Sequence, residues 1–204
     1  MGIEQKSVVN TARGRAAVKY FAPTATVKCE GRRLFRSRVS RDLACLLDVN
    51  PSVSSWICMP TALEIGSAQH IVDFAVFTFA GEPALFDAPD RSTRFTVEAV
   101  QSAAEATGWK YRRPTPDEMY EGFRYRNARD LLRYGDHECS LGDRVRLQAA
   151  LTEQGSLSLV DCLQMVRESK PMAAVASLIL REYLEVDLDE AEIGPETMVR
   201  WIRT

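Results

Sequence analysis

Two carboxylates near the middle of the sequence lie on segments that are predicted to be neighbouring strands. Asp73 is near the start of the apolar run VDFAVFTFA and Asp87 is near the end of PALFDA, with a Gly81-Glu82 turn between the two runs. Carboxylates placed in this way can hold one or two Mg²⁺ ions, which activate a water molecule for hydrolysis of a phosphodiester. Asp73 and Asp87 are therefore the candidate catalytic and metal-binding pair.

Such a metal site also needs a cation beside it, because the attacking water must lose a proton and the transition state gains negative charge. Metal-dependent nucleases with this layout place a lysine two residues after the second acid, and here Pro89 stands at that position. Lys110, Arg91 or Arg112 could supply the charge from another element. For Asp73 an ion pair with a neighbouring arginine is the structural alternative, since a buried aspartate without partners is costly. For Asp87 and Asp90 the alternative is a turn with ordinary solvated acids.

The elements that would position these acids form a predicted α/β domain over residues 28–135, with a mixed sheet flanked by helices. The apolar positions of S-R-V-S-R-D-L-A-C-L-L-D fall on one helical face, and Asn50-Pro51 ends that helix. The other predicted elements, in chain order, are a hairpin over WICMPTALEI and HIVDFAVFTFA, a strand at PALFDA, a helix from Thr93 to Thr107, a strand at WKYRR, and short helices near Thr115 and Asn127.

Residues 140–204 are predicted to form a separate, C-terminal helical domain that is winged-helix-like. Three helical segments are followed by VDLDEAEIGPETMVRWI, which could form a small β wing, and the polar stretch from Gly135 to Ser140 marks the boundary. A DNA-reading third helix carries several basic or amide side chains, whereas PMAAVASLILREYL has only Arg181, and the acidic VDLDEAE would repel phosphate. We therefore expect this domain to contact a protein partner or to serve in packing.

Positive charge is concentrated at the start of the chain. Residues 1–41 contain ten bases and two acids, a net charge of 10 − 2 = +8, so the other residues carry −2 − 8 = −10. Residues 1–27 are predicted to be a flexible basic arm, and a basic segment of this kind can neutralise the phosphates of double-stranded DNA. A solvated tail is the alternative. The candidate DNA-binding residues are Arg13, Arg15, Lys28, Arg32, Arg33, Arg36 and Arg38.

The cysteines and the hydropathy of the chain exclude other classes of protein. The five cysteines are scattered without a CxxC motif and only two histidines accompany them, so buried free thiols are expected rather than a zinc site. No run of about 18 apolar residues is present, and the first residues lack the apolar core of a signal peptide. We expect a cytoplasmic protein without a membrane segment.

Several segments resemble the TnsA-like transposon endonucleases. S-R-D-L-A-C-L-L-D-V-N-P-S-V-S-S-W-I-C-M-P resembles that family's E-S-x-L-E-R-D run, Leu-Leu pair, D-P-x-V turn and Q-P. VDF resembles its P-D-F, LFDAP resembles its L-I-E-V-K, and GWKYRRPTPDEMYEGFRYRNARDLLRY resembles the segment that leads into its C-terminal helical domain. The resemblance covers roughly residues 28–165. It implies a restriction-endonuclease-like PD-(D/E)XK domain that cuts DNA at transposon ends, beside a separate transposase and an ATPase.

The resemblance also implies a degenerate active site. Asp73 matches the family's metal-binding aspartate, and Asp87 falls where the wider superfamily is usually acidic. The family's helix glutamate aligns with Arg36 and its catalytic lysine aligns with Pro89. Arginine beside the metal position would repel a cation, whereas it can grip a phosphate through two hydrogen bonds.

Three classes of function therefore remain open. The first is a DNA-binding protein with a catalytically inactive TnsA-like fold, acting in a mobile-element or DNA-transaction complex. The second is an active Mg²⁺-dependent DNA endonuclease whose catalytic lysine has moved to Lys110. The third is a protein-only adaptor that binds through its acidic C-terminal domain. The first class fits the basic segment and the missing lysine best.

Overall fold

The computed structural model of the chain describes the backbone of residues 3–202 and the side chains of residues 6–202. Residues 1, 2, 203 and 204, which are the ends of the predicted basic arm and of the predicted C-terminal domain, lie outside the described residues. The chain divides into two compact units. The first contains the chain up to Ala22 together with Lys28–Met119, and the second contains Pro23–Val27 and the chain from Tyr120 onward.

The first unit is a mixed α/β structure. Its sheet has the strand order β1-β4-β5-β6, in which β1, β4 and β5 are antiparallel and β6 is parallel to β5. A separate hairpin joins β2 and β3. The elements are α1 (Ile3–Ala17), α2 (Arg38–Asp48), β1 (Val53–Cys58), β2 (Ala62–Ile65), β3 (Ala68–Ile71), β4 (Phe74–Thr78), β5 (Ala84–Phe86), α3 (Val97–Glu105), β6 (Lys110–Arg112) and the start of α4 (Pro116–Tyr120).

Helix α2 begins where the sequence predicts it. The hydroxyl of Ser37 accepts from the backbone N–H of Ser40, and the hydroxyl of Ser40 accepts from the N–H of Ser37, so the two residues form a capping box. This reciprocal cap fixes the first turn of α2 directly after Arg36. The start of the helix therefore sets the position of Arg36, which belongs to the candidate site.

Different helices pack on the two faces of the sheet. Trp56, Phe74 and Val76 belong to one hydrophobic cluster that also contains residues of α2. Ala75 and Leu85 belong to a second cluster, with Val100 and Ala104 of α3. This division follows from the alternation of side chains along a strand, and it leaves α2 and α3 on opposite faces.

The prediction of a flexible arm over residues 1–27 was wrong for the residues that the structure describes. Helix α1 runs from Ile3 to Ala17, and Val9 and Ala16 on it are buried. Pro23–Val27 is also ordered, because Gly135 approaches it so closely that an added Cβ would lie 2.9 Å from the Cβ of Ala25. The apolar residues of α1 do not form a regular amphipathic stripe, so the sequence pattern does not predict this helix and tertiary packing stabilises it.

The second unit consists of helices and a small antiparallel sheet of order β7-β9-β8. Its elements after α4 are α5 (Arg124–Leu131), a 3-10 helix (Leu132–Tyr134), α6 (Leu141–Gln154), β7 (Leu157–Ser158), α7 (Leu159–Met165), α8 (Pro171–Leu180), β8 (Leu184–Glu185) and β9 (Met198–Trp201). Both α5 and the 3-10 helix contact α8. The predicted boundary at Gly135 to Ser140 therefore lies inside this unit. No helix among residues 3–202 is long and apolar enough to span a bilayer.

Candidate functional site

The sheet brings the two predicted carboxylates together. Asp73 immediately precedes β4 and Asp87 immediately follows β5, and the register pairs Phe74 with Phe86. The backbone N–H of Asp73 donates to Oδ1 of Asp87 over 2.9 Å. Both side chains are buried, with exposed fractions of 2% for Asp73 and 0% for Asp87. Two carboxylates this deeply buried require hydrogen-bonding or charged partners.

Asp73 has four donors around its two oxygens. Arg36 donates from Nε to Oδ1 and from Nη2 to Oδ2, each over 3.1 Å, which is the bidentate geometry of an arginine–carboxylate pair. Arg91 donates from Nη1 to Oδ1 over 3.2 Å. The backbone N–H of Ala88 donates to Oδ2 over 3.0 Å. The ion pair that we gave as the structural alternative for Asp73 is therefore present in the structure.

The same arginine also reaches the edge of the site. Nη2 of Arg36 lies 2.7 Å from Oδ1 of Asp90, whose side chain is one-third exposed. Burial lowers the pKa of Arg36, but hydrogen bonds and charge from Asp73 and Asp90 outweigh burial, so the pKa is raised above its ordinary value. The guanidinium is thus a permanent cation between two carboxylates.

Asp87 is held by side chains from two other strands. Nε2 of His70 on β3 lies 2.5 Å from Oδ2 of Asp87, and the hydroxyl of Tyr111 on β6 donates to the same oxygen over 2.9 Å. Nδ1 of His70 lies 3.3 Å from the hydroxyl of Thr93. A chain of polar groups therefore runs from Thr93 through the buried His70 and Asp87 to the hydroxyl of Tyr111, and its two ends are partly buried.

The charges around Asp87 keep it ionised. Burial raises the pKa of Asp87, but the hydrogen bond and charge of His70, the charge of Arg91 and the hydrogen bond from Tyr111 outweigh burial, and the pKa lies below its ordinary value. Burial and the charge of Asp87 raise the pKa of Tyr111, so the phenol keeps its proton. Asp87 therefore acts as an acceptor of hydrogen bonds from these neighbours.

Lys110 and Arg112 do not point to the carboxylate pair. The ammonium of Lys110 pairs with Glu82, and 68% of its side chain is exposed. Arg112 pairs with Glu118 over 3.1 Å, also at the surface. Because side chains alternate along β6, it is Tyr111 between them that faces Asp87. The suggestion that a migrated catalytic lysine stands at Lys110 is therefore wrong in this geometry, and so is the equivalent suggestion for Arg112.

The arrangement does not fit a magnesium ion. Mg²⁺ requires carboxylate oxygens in an octahedral shell with several waters. Both oxygens of Asp73 and both oxygens of Asp87 accept hydrogen bonds from protein donors, and three of the four donors to Asp73 belong to Arg36 and Arg91. Among residues 6–202 no group of three or more His, Cys, Asp or Glu side chains is placed to hold a metal ion. Arginine, rather than a metal ion, supplies the positive charge beside Asp73.

Pro89, which stands at the position of the expected catalytic lysine, has a structural role instead. The carbonyl of Pro89 accepts from Nη2 of Arg113 over 2.6 Å, and the same nitrogen lies 2.9 Å from the carbonyl of Arg91. Nη2 of Arg91 in turn donates to the carbonyl of Ile71. These bonds hold the loop after β5 against β6 and against the end of β3. The loop thereby keeps Arg91 directed at Asp73.

The structure separates the predicted DNA-binding residues into two groups. Arg13, Lys28 and Arg36 are partly buried, since Arg13 donates to the carbonyl of Met59 over 3.0 Å and Lys28 donates to the carbonyl of Asn50 over 2.7 Å. These residues stabilise the first unit. The exposed members of the set are Arg15, Arg32, Arg33 and Arg38.

Helix α8 in the second unit has almost no exposed face. Every residue from Ala173 to Leu178 is buried, and Arg181 directly after the helix folds back towards the carbonyl of Ser177 over 3.4 Å. A helix that enters the major groove must present several side chains to the bases. Helix α8 therefore has a packing role within its own unit, as its apolar sequence indicates.

The acidic segment after β8 is fixed to α5. Nδ2 of Asn127 donates to the carbonyls of Leu188 and Ala191, and its Oδ1 accepts from the N–H of Ile193. Arg124 pairs with Asp189 through two hydrogen bonds of 2.7 and 2.6 Å. Residues 185–196 contain six acids and no base. The segment thus presents negative charge on a well-anchored loop.

Sequence reasoning missed His70, Tyr111 and Thr93 as partners in the site. A signal was present for two of them. His70 alternates with Val72 and Phe74 in an apolar stretch, so a buried position was readable, and Tyr111 is the one uncharged residue of KYR. The bond between Thr93 and His70 joins residues that are distant in sequence, and no local pattern indicates it.

The chain matches no model of a protein family and no curated protein.

Proposed function

We propose that the chain is a DNA-binding protein with a TnsA-like, restriction-endonuclease-like fold whose active site has lost the ability to cut, and that it acts in a mobile-element or DNA-transaction complex. The observation that carries the proposal is the bidentate pair between Arg36 and Asp73. A nuclease would need that carboxylate for a metal ion. Here both of its oxygens accept from arginine, and the lysine position is Pro89.

The architecture of the first unit supports the fold assignment. Its mixed sheet lies between α2 and α3, and the two acids are at adjacent ends of β4 and β5. Asp73, Asp87 and the replaced glutamate at Arg36 meet at one place, as they would in a PD-(D/E)XK site. An active endonuclease has less support, because Lys110 and Arg112 pair with surface acids instead.

Exposed arginines support DNA as the ligand. Arg32, Arg33 and Arg38 lie within seven residues of one another and are exposed. Ser37 caps α2 at the same place, and the first turn of α2 contains no acid. Arginines displayed on a folded surface neutralise phosphates without reading the bases, so we expect binding with little sequence preference.

The second unit supports a protein partner. Its order of elements, α6-β7-α7-α8-β8-β9 with a three-stranded sheet, supports the proposal of a winged-helix-like domain, but α8 is buried and the loop after β8 is acidic. On α6, Leu141 and Val145 are one turn apart and 66% and 53% exposed. Exposed apolar pairs on a helix whose other apolar side chains face the core are typical of contact surfaces. The protein-partner role of residues 140–204, and the cytoplasmic location, stay predictions.

The test is the salt dependence of binding to a fluorescent duplex of mixed sequence. If about five bases contact phosphates, log K should fall against log salt with a slope of about −4.5, from about −0.9 for each neutralised phosphate. The triple substitution Arg32→Ala, Arg33→Ala and Arg38→Ala should reduce the magnitude of that slope by about 2.7. This design is better than deletion of residues 1–25, because α1 contributes buried side chains to the first unit.

A matched control comes from the second unit. Arg167, Lys170 and Arg200 are also exposed, and their joint replacement by alanine removes the same charge. That variant should bind the duplex with unchanged slope. Equal losses in the two triple variants, or no loss in either, would reject DNA binding through residues 32–38. Absence of duplex binding by the unsubstituted chain would favour the protein-only adaptor.

A further inference from the structure

Two cysteines of the first unit, Cys29 and Cys58, share a hydrogen bond between their thiols although they are 29 positions apart in sequence. Cys29 forms a parallel bridge with Trp56, in which the N–H of Glu30 donates to the carbonyl of Trp56 over 2.8 Å and the N–H of Trp56 donates to the carbonyl of Lys28 over 3.0 Å. Paired residues of a bridge direct their side chains to the same face. Cys29 therefore shares a face with Trp56.

Cys58 lies on that face as well. It follows Trp56 by two positions on β1, and both are buried in the hydrophobic cluster against which Cys29 packs. The sulfur of Cys58 accepts from the N–H of Leu34 over 3.3 Å. The loop of residues 30–33, which contains Arg32 and Arg33, is thus bounded by Cys29 on one side and by the Leu34 contact with Cys58 on the other.

The two thiols differ in their access to solvent. Cys29 is partly exposed, whereas Cys58 is buried. A hydrogen bond with Cys29, together with burial, raises the pKa of the Cys58 thiol. Cys58 therefore keeps its proton, and Cys29 is the thiol that an oxidant in solution can reach first.

We propose that Cys29 and Cys58 form a redox-responsive dithiol that a hydroperoxide converts into an intramolecular disulfide. In the first step the thiolate of Cys29 attacks the peroxide, the O–O bond breaks, and Cys29 sulfenic acid and an alcohol or water are formed after protonation. In the second step the sulfur of Cys58 displaces hydroxide from Cys29, its proton leaves with the hydroxide as water, and the S–S bond forms. The two electrons lost by the thiols reduce the peroxide.

The disulfide would fasten the loop of residues 30–33 to β1. Because it closes a ring from Cys29 to Cys58, it would restrict the unfolded chain and raise the thermal midpoint of the oxidised protein by several degrees. A thiol reductant would reverse the change. This inference does not depend on DNA binding, since both the bond and the midpoint are measured on the protein alone.

The experiment treats the full chain with a small excess of hydrogen peroxide and then alkylates, denatures and digests it without reduction. The expected products are a linked peptide pair containing Cys29 and Cys58, a mass lower by about 2 Da for the two hydrogens, and a thiol count that falls from five to three. Cys29→Ser should abolish the linked pair and the rise in thermal midpoint. Cys139→Ser, which changes a half-exposed cysteine of the second unit, should leave both intact.

The outcome that would overturn the proposal is oxidation of Cys29 to sulfinic or sulfonic acid with the Cys58 thiol still free. A linked pair that contains any other cysteine would overturn it too. Because the decisive measurement uses the unsubstituted chain, it does not depend on whether a Cys58 variant folds.

Discussion

The guanidinium of Arg36 grips the carboxylate of Asp73 with two parallel hydrogen bonds of 3.1 Å each, in a site where Asp73 is 2% exposed. This pair joins the residue before the capped start of α2 to the residue before β4. It therefore connects a covering helix to the centre of the sheet, and it satisfies a buried charge at the same time.

Loss of Arg36 should destabilise the first unit. Arg36→Ala leaves Asp73 with Arg91 and the N–H of Ala88, so the cost should be about 2 kcal/mol, below the 3–5 kcal/mol typical when a buried ion loses its sole partner. Arg36→Lys should recover only part of this free energy, because an ammonium cannot form the two-pronged contact. Urea unfolding measures the change.

The control for that experiment is Arg38→Ala. Arg38 is exposed and only two positions away, so its removal should change the free energy of unfolding by less than about 0.5 kcal/mol. Equal effects of the Arg36 and Arg38 substitutions would show that the pair with Asp73 contributes no stability.

Asp87 should make the protein sensitive to acid. Its folded-state pKa lies below its ordinary value of 3.8, so its contribution is complete above that value and is lost as the pH falls through the lower, folded-state pKa. Asp87→Asn should therefore be destabilised at pH 7, and its deficit relative to the unsubstituted protein should shrink below about pH 4. Urea unfolding at pH 7, 5, 4 and 3 measures the difference. A deficit that stays constant over this range contradicts the assignment.

In the second unit, Asn127 should anchor the acidic loop. Its side chain is 3% exposed and makes three hydrogen bonds of 2.8–2.9 Å to the backbone of Leu188, Ala191 and Ile193. Asn127→Ala should cost about 2–3 kcal/mol, because buried backbone groups lose their partners. Limited proteolysis should then cut within residues 186–195.

The comparison variant for this prediction is Arg126→Ala. Arg126 pairs with Glu192 in the same loop, but both side chains are more than 60% exposed, and such pairs contribute little. Proteolysis at an unchanged rate in Asn127→Ala, or an equal rise in Arg126→Ala, is incompatible with the anchoring role.

The sequence predicted more of the fold than of the site. Periodicity and the Ser37 cap predict helix α2, the strands next to Asp73 and Asp87, and the apolar character of α8. Helix α1 does not, because its stability depends on packing of Val9 and Ala16 that no local pattern shows. The sequence predicted one long hairpin over WICMPTALEI and HIVDFAVFTFA, whereas in the structure β2 pairs with β3 in a shorter hairpin and β1 pairs with β4.

At the site, the acids and an arginine partner for Asp73 were predicted, whereas the burial of Asp87 and its partners were not. Arg91 was considered as a catalytic cation and is instead a structural partner of Asp73. His70 and Tyr111 reach Asp87 from β3 and β6, and this depends on the order of strands, which the sequence does not give. Pairing across the sheet is the information that was missing.

Reversal of the charge at Arg36 should create sensitivity to metal. Arg36→Glu places a second carboxylate beside Asp73, so the variant should be destabilised without metal and should gain thermal midpoint as Mn²⁺ is added, because the ion binds only the folded state. The unsubstituted protein should show no such gain. An increase of equal size in both proteins would mean that Mn²⁺ binds elsewhere.

The most direct test of the central claim is incubation of supercoiled plasmid with the protein and Mg²⁺ or Mn²⁺, at a protein concentration that retards the same plasmid in a gel. Because Asp73 and Asp87 are engaged by Arg36, Arg91, His70 and Tyr111, the plasmid should stay supercoiled, and Asp73→Ala and Asp87→Ala should give the same result. Metal-dependent nicking by the unsubstituted protein, lost in both variants, would contradict the claim and show that the site cuts DNA.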